Sequence, residues 1–199
     1  MRIIGGMAGG VVLRVPKGYN VRPTPDLVRQ ALFNSLGSRV AGAAVLELFG
    51  GTGALSLECL SRGARQALCL ELSAKHARFI EQNFALTGLP QGTLQVRVQN
   101  VFTGLPQLAA AGQKFDLVLA DPPYGDKNVG RRSTSFAQQL LDDDDLPCLL
   151  NSDGLLILGH ARRDTLEIPP AWQEIKTLKH GDSWMRFLAR ARGEMPSDE

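Results

Sequence analysis

Val45-Leu46-Glu47-Leu48-Phe49-Gly50-Gly51-Thr52-Gly53-Ala54-Leu55-Ser56 carries the fold of this 199-residue chain. Its first five residues are an apolar run of the length of a buried strand. The glycines permit a tight turn and close approach of backbone to a ligand. The helix expected from Ala54 to Arg62 then opens with N–H groups that have no partner within the helix. Strand, glycine turn and helix in this order form the first unit of an α/β sheet that binds its ligand at the carboxyl edge.

The next strand outward, Ala67-Leu68-Cys69-Leu70-Glu71, ends in an acid about 20 residues beyond the glycines, the spacing at which such folds bind a ribose hydroxyl. This much suits either a nicotinamide dinucleotide or S-adenosylmethionine. The dinucleotide fingerprint calls for a third glycine, and Ser56 holds that place. Glu47, inside the strand and just before the loop, suits a cationic ligand, and S-adenosylmethionine carries an ammonium and a sulfonium. Further on, Phe115-Asp116-Leu117-Val118-Leu119-Ala120 reads as another buried strand of a parallel sheet. It runs into Asp121-Pro122-Pro123-Tyr124. Two prolines stop the strand and fix the next turn, with neither nitrogen able to donate a hydrogen bond. The turn offers a carboxylate, carbonyl oxygens and a flat ring, a set that suits a planar amino group on a nucleobase.

Three segments together, Leu46 to Leu55, Leu60-Ser61-Arg62-Gly63-Ala64 and Asp121-Pro122-Pro123-Tyr124, resemble class I methyltransferases that act on exocyclic amino groups. Arg2-Ile3-Ile4-Gly5-Gly6 and Arg22-Pro23-Thr24-Pro25-Asp26-Leu27-Val28-Arg29-Gln30-Ala31-Leu32-Phe33-Asn34 narrow the resemblance. They are similar to the D-type family of bacterial 16S ribosomal RNA guanine-N2 methyltransferases. The resemblance implies a Rossmann-like, mostly parallel, seven-stranded sheet closed by a hairpin with an antiparallel last strand. It implies S-adenosylmethionine as cofactor, held by Glu47, Gly50, Gly51, Gly53, Glu71, Asn100, Val101 and Asp121. It also implies catalysis by Asp121, Pro122 and Tyr124. Two places depart from the family pattern. Asn100 stands where an acid usually contacts the adenine amino group; its amide oxygen can accept that bond without charge assistance, or it simply opens the next helix. Gly159-His160 follows the fifth strand where an acid is common, and no role is assigned there.

Charge divides unevenly. Net charge is +2, yet residues 1–40 hold Arg2, Arg14, Lys17, Arg22, Arg29 and Arg39 against Asp26 alone, leaving +5 there and −3 in the remainder. Such a bias fits a polyanionic partner or a merely solvated surface, and the resemblance favours RNA. The expected organisation is an RNA-docking appendage over residues 1–40, a methyltransferase domain over 41–193 and a frayed tail over 194–199. The appendage would hold a β-hairpin within residues 2–15, then a helix capped by Thr24, with Pro25 at its first position and Gly37 at its end. Later elements are expected as a helix capped by Ser73 and running to Thr87, a strand over Leu94–Val98, and a helix near Ser135–Leu141. Strands follow at Leu155–Leu158, Gln173–Leu178 and Ser183–Ala191. Lys17, Arg22 and Arg29 are expected to contact phosphates, as are Lys127, Arg131 and Arg132 behind the Asp121 turn. His76, His160 and His180 read as surface residues.

Cys59, Cys69 and Cys148 are odd in number and lack metal-ligand spacing, which points to free thiols in a reducing cytoplasm. The acids Asp142 to Asp145 read as a solvated loop, since four consecutive carboxylates cannot converge on one ion. No apolar run approaches membrane-spanning length and no signal segment opens the chain, so a cytoplasmic protein without a membrane partner is expected. The expected partner is 16S rRNA or an assembling small ribosomal subunit, met as a monomer, with no metal. The expected reaction is methyl transfer to the N2 amino group of a guanine. An adenine-N6 or other amino methyltransferase is the nearest alternative, and a non-catalytic nucleotide- or RNA-binding module the alternative of another class.

Overall fold

The computed structural model describes residues 1–15, 25–125, 127–128 and 131–191. Strand β1 (Ala44–Leu48) is buried along its whole length, as its unbroken apolar run demands. It lies between β2 (Gln66–Glu71) and β4 (Phe115–Ala120), parallel to both. β3 (Leu94–Val98) flanks β2, and β5 (Leu150–Ala161) flanks β4, again in parallel. β7 (Ser183–Arg190) pairs antiparallel with β5 and with β6 (Trp172–His180), giving the order β3-β2-β1-β4-β5-β7-β6. The seven-stranded sheet with its terminal hairpin is the one expected from the sequence. Its order reverses between β1 and β4, which opens a crevice at their carboxyl ends.

Side chains alternate across the sheet and feed two apolar layers. Val45, Leu117, Ile157 and Phe187 pack toward α1 (Asp26–Leu36), α2 (Ala54–Ser61) and α3 (Ala74–Thr87). Leu46, Val118, Leu156 and Leu188 pack toward α4 (Val101–Ala110) and α5 (Phe136–Leu141). No helix among the described residues is long and apolar enough to cross a membrane.

The amino-terminal segment forms the expected hairpin in brief form. Arg2 and Val12 make an antiparallel bridge, and backbone bonds run from Ile3 N–H to the Val11 carbonyl, from Leu13 N–H to that of Met1 and from Gly10 N–H to that of Ile3. Ile3, Ala8 and Leu13 are buried in the same apolar layer as Val28, Leu32 and Phe33 of α1 and Leu57 of α2. Residues 1–15 and α1 are thus built into the core, with no break in packing at residue 40. Carboxylate and hydroxyl groups of α2 hold this segment by its backbone. Glu58 accepts from the N–H groups of Ile4 at 2.7 Å and Gly5 at 2.9 Å, and Ser61 Oγ accepts from Ala8 N–H at 2.9 Å. Helix α1 ends at Gly37 as expected, with φ 53° there; Pro25 immediately precedes it, and Thr24 lies outside the described residues. β5 is longer than Leu155–Leu158 at both ends: its first residue pairs with Phe115 across a bulge, and Gly159–Ala161 pair with the start of β7.

Candidate active site

The loop after β1 turns sharply. Phe49 has φ 61°, rare for a side chain of that size, and Gly53 has φ 75° at the start of α2. A Cβ on Gly53 would also lie 2.6 Å from Ile80 Cγ2, so glycine is required there twice over. Gly50 N–H bonds the Leu70 carbonyl at 3.0 Å, tying the loop to β2. Gly51 donates to Glu71 Oε2 at 2.8 Å, while the second oxygen of that carboxylate accepts Ser73 N–H at 2.8 Å. Glu71 therefore fixes the glycine loop and the entry to α3 together. A carboxylate oxygen has two lone pairs, so an acceptor site toward a ribose hydroxyl remains.

A cavity of about 290 Å³ opens beside Glu71, and Phe49, Asn100, Val101, Asp121 and Pro123 line it. The structure thus unites the acid, the β3–α4 junction and the Asp121 turn, which the sequence scatters over some fifty residues. Phe102 and Phe136 complete its wall. With Phe49 they form an aromatic trio whose ring centroids lie 5.6 Å (Phe49–Phe136), 5.8 Å (Phe102–Phe136) and 6.2 Å (Phe49–Phe102) apart. Sequence reading missed this trio, because its members belong to three separate elements. Asn100 caps α4, its side-chain oxygen accepting Phe102 N–H at 2.9 Å. That oxygen is already engaged in the helix-opening role.

Glu47 is placed differently from expectation. It is buried behind the loop, outside the residues lining the cavity, and accepts Ser56 N–H at 3.0 Å. Burial pushes its carboxyl up to about 7, against the lowering effect of its bonds to the start of α2. Its direct partner is therefore the helix start, not a group in the cavity.

Asp121 follows the last residue of β4, beside Gly159 of β5. A Cβ on Gly159 would overlap Asp121 Oδ1. The glycine that breaks the family pattern thus makes room for this carboxylate. Tyr124 is 40% exposed, and its hydroxyl bonds Ser183 Oγ at 2.8 Å, which sets the ring against the start of β7. His160, read from sequence as a surface residue, is 1% exposed. Its Nδ1 lies 3.0 Å from the Ala161 carbonyl and 3.1 Å from that of Asp164, so Nδ1 carries the proton; Nε2 then accepts from Arg186 Nε at 3.0 Å. Burial, with Arg186 beside it, holds the imidazole below its usual pKa.

The expected phosphate contacts divide. Arg29 is fully buried; it donates to the Arg2 carbonyl at 2.6 Å and Asp26 at 2.7 Å, and lies 3.8 Å from Glu58. It is a core residue joining α1, α2 and the amino-terminal segment, and cannot meet RNA in this fold. Lys17 and Arg22 lie outside the described residues. Lys127 and Arg131 are exposed. Arg132 is paired with Glu167 at 2.8 Å and Asp142 at 2.7 Å.

Comparison with known proteins agrees with this geometry. The Escherichia coli protein named ribosomal RNA small subunit methyltransferase D is 38% identical over 124 residues, 62% of this chain and 60% of that protein. The matched stretch thus spans about three-fifths of that relative's length. A Bacillus subtilis protein provisionally named an rRNA methyltransferase is 29% identical over 85% of this chain and 86% of its own. Among solved structures, an Escherichia coli protein provisionally named a methyltransferase superposes with a TM-score of 0.76 at 29% identity, covering 96% of this chain and 98% of that one. A methyltransferase-like structure holding S-adenosylhomocysteine shares the fold, with a TM-score of 0.63 at 16% identity over 82% of this chain and 49% of its own. The family model described as conserved hypothetical protein 95 matches residues 1–189, and the chain belongs to that family.

Proposed function

We propose that this protein transfers a methyl group from S-adenosylmethionine to the N2 amino group of a guanine in 16S ribosomal RNA. The observation that carries this reading is the cavity joining Glu71 and the β3–α4 junction to the Asp121 turn. The residues lining the cavity fit the cofactor: Glu71, held by the glycine loop behind it, for a ribose hydroxyl and apolar, aromatic walls for an adenine ring. S-adenosylmethionine, when bound, supplies an electrophilic methyl group on its sulfonium. The relatives' names support RNA as the acceptor.

The exocyclic nitrogen of guanine is a poor nucleophile because its lone pair is delocalised into the ring. Asp121 and the Pro122 carbonyl accept its two N–H bonds, which favours pyramidal geometry as attack begins. The carboxylate also offsets positive charge developing on nitrogen, an interaction stronger in the transition state than in the ground state. Tyr124, anchored through Ser183, stacks on the base and orients it for in-line attack. A base reaching this turn must first leave its stack.

The test is methyl transfer with isotopically labelled cofactor to 16S rRNA from a strain lacking this protein, followed by mapping of the labelled nucleotide. Label on a guanine N2 is expected. Label on an adenine would replace the substrate assignment, and binding of RNA and cofactor without transfer would overturn the enzymatic reading.

A further inference from the structure

With Arg29 withdrawn into the core and Arg132 held by two carboxylates, other exposed cations remain at the edge of the sheet where Asp121 emerges. β5 runs parallel to β4, so the residues just after β5 emerge at the same edge of the sheet as Asp121. Those residues are Arg162 and Arg163, both exposed and in no ion pair among the described residues. β7 is antiparallel to β5, which brings its first residues and the β6–β7 turn to this same edge. Arg162 N–H bonds the Asp182 carbonyl at 2.8 Å, joining the two turns. On the turn's flank Lys179 Nζ lies 4.5 Å from the Trp184 ring centroid, and His160 packs edge-on against that ring at 5.9 Å. Behind the tetrapeptide, Asn128 exchanges a reciprocal pair of bonds with the Thr165 backbone, both at 2.9 Å. This pair clamps the loop of Lys127 and Arg131 to the loop of Arg162 and Arg163.

We propose that this clamped rim, with Arg162, Arg163 and Lys179 at its centre, binds the sugar–phosphate backbone of the RNA strand flanking the target nucleotide. Three features select that occupant. The rim carries five cations (Lys127, Arg131, Arg162, Arg163 and Lys179) beside the exposed carboxylate of Asp182, while the exposed Glu167 is matched by Arg132. It is continuous with the catalytic turn, because Tyr124 bonds Ser183, the neighbour of Trp184. Its described backbone is pinned at Asn128, Thr165 and Arg162, so phosphate contacts there would be made by side chains. A strand delivering its base beside Tyr124 must cross this edge. The proposal rests on the RNA-methylating reading above.

The experiment compares Arg162→Gln/Arg163→Gln/Lys179→Gln with the parent protein in binding to a 16S rRNA fragment over a range of salt, alongside cofactor binding by calorimetry. Arg190→Gln, at the far end of β7, serves as control. The triple variant is expected to bind RNA at least about tenfold more weakly, and its log–log salt dependence to be shallower by about two units, at roughly 0.7–0.9 per lost phosphate contact. Cofactor affinity and the control should match the parent. Unchanged RNA affinity and slope in a variant with normal cofactor binding would overturn the rim. A parent protein that fails to bind or methylate RNA would instead overturn the underlying function. Photo-crosslinking of RNA to the unaltered protein covers a variant that does not fold. Crosslinks within residues 162–163 or 179–184 support the proposal, and crosslinks confined elsewhere refute it.

Discussion

Asp121 and Gly159 are tightly paired, a carboxylate lying where a neighbouring Cβ would be. If Asp121 is the transition-state acceptor proposed above, Asp121→Ala should lower turnover on the order of 10²-fold or more, with cofactor affinity nearly unchanged. Single-turnover kinetics and calorimetry separate the two quantities, and near-normal turnover would refute the role. Gly159→Ala tests the same carboxylate from outside. The added methyl forces Asp121 to move, so turnover should fall while the melting temperature changes little, alanine being an ordinary strand residue. A variant with full activity would show that the carboxylate's position is not critical. Tyr124→Phe deletes the hydroxyl bond to Ser183, worth about 1 kcal/mol, and should retain most activity, whereas Tyr124→Ala loses the ring and should slow methylation markedly.

The junctions between strands and helices show where the chain could be read in advance and where it could not. The β1 turn, Glu71 and the Asp121 turn were legible because their chemistry is local: a strand, then glycines, an acid or prolines within a few residues. Arg29, His160 and the phenylalanine trio were not, because what buries them comes from elements remote in sequence. Arg29 has Asp26 nearby on its own helix but is enclosed by the Arg2 carbonyl and Glu58 of α2, and His160 bonds the adjacent Ala161 and Asp164 carbonyls but also meets Arg186 of β7. Glu47 was legible as a special residue but not in its direction, since only the packed junction shows its carboxylate turned to Ser56. That junction makes a pH prediction. The folded pKa of Glu47, about 7, lies above the ordinary carboxylate value of 4.5, so the folded state holds its proton more tightly. Stability is therefore lost as pH rises from 4.5 to about 7, by at most about 3 kcal/mol, and the loss is complete above 7. Glu47→Gln keeps an acceptor for Ser56 and abolishes the charge. It should raise the melting temperature at about pH 8 and leave it nearly unchanged at about pH 5; a pH-independent effect would sink this account. At β2, Glu71→Ala removes the anchor of Gly51 and Ser73 together and should weaken S-adenosylmethionine binding by about 1–3 kcal/mol in calorimetry.

The amino-terminal segment, α1 and α2 act as one body with the sheet, and this changes what the basic bias of residues 1–40 means. Part of that charge is structural. Arg29 lies at full burial among Asp26, Glu58 and the Arg2 carbonyl, and Glu58 in turn holds the backbone of Ile4 and Gly5 and the side chain of Arg62. Asn83, also buried, joins the Arg14 backbone to the Thr52 carbonyl of the glycine loop, at 3.0 Å on each donated bond. The segment thereby braces the cofactor loop from behind. Removing Arg29 opens a cavity in the core and takes the side-chain donor from the Arg2 carbonyl, although Glu58 keeps Arg62; such losses are destabilising by about 2–3 kcal/mol. Arg29→Ala should therefore lower the midpoint of urea unfolding substantially, with the slope of the transition unchanged. In the folded population below the transition, the salt dependence of RNA binding should equal that of the parent, because no phosphate contact is lost. Substitution of Lys17 and Arg22, whose positions lie outside the described residues, should do the reverse if those side chains meet RNA. A shallower salt slope in Arg29→Ala at unchanged stability would mean that the guanidinium leaves the core to bind phosphate, contrary to the packing described.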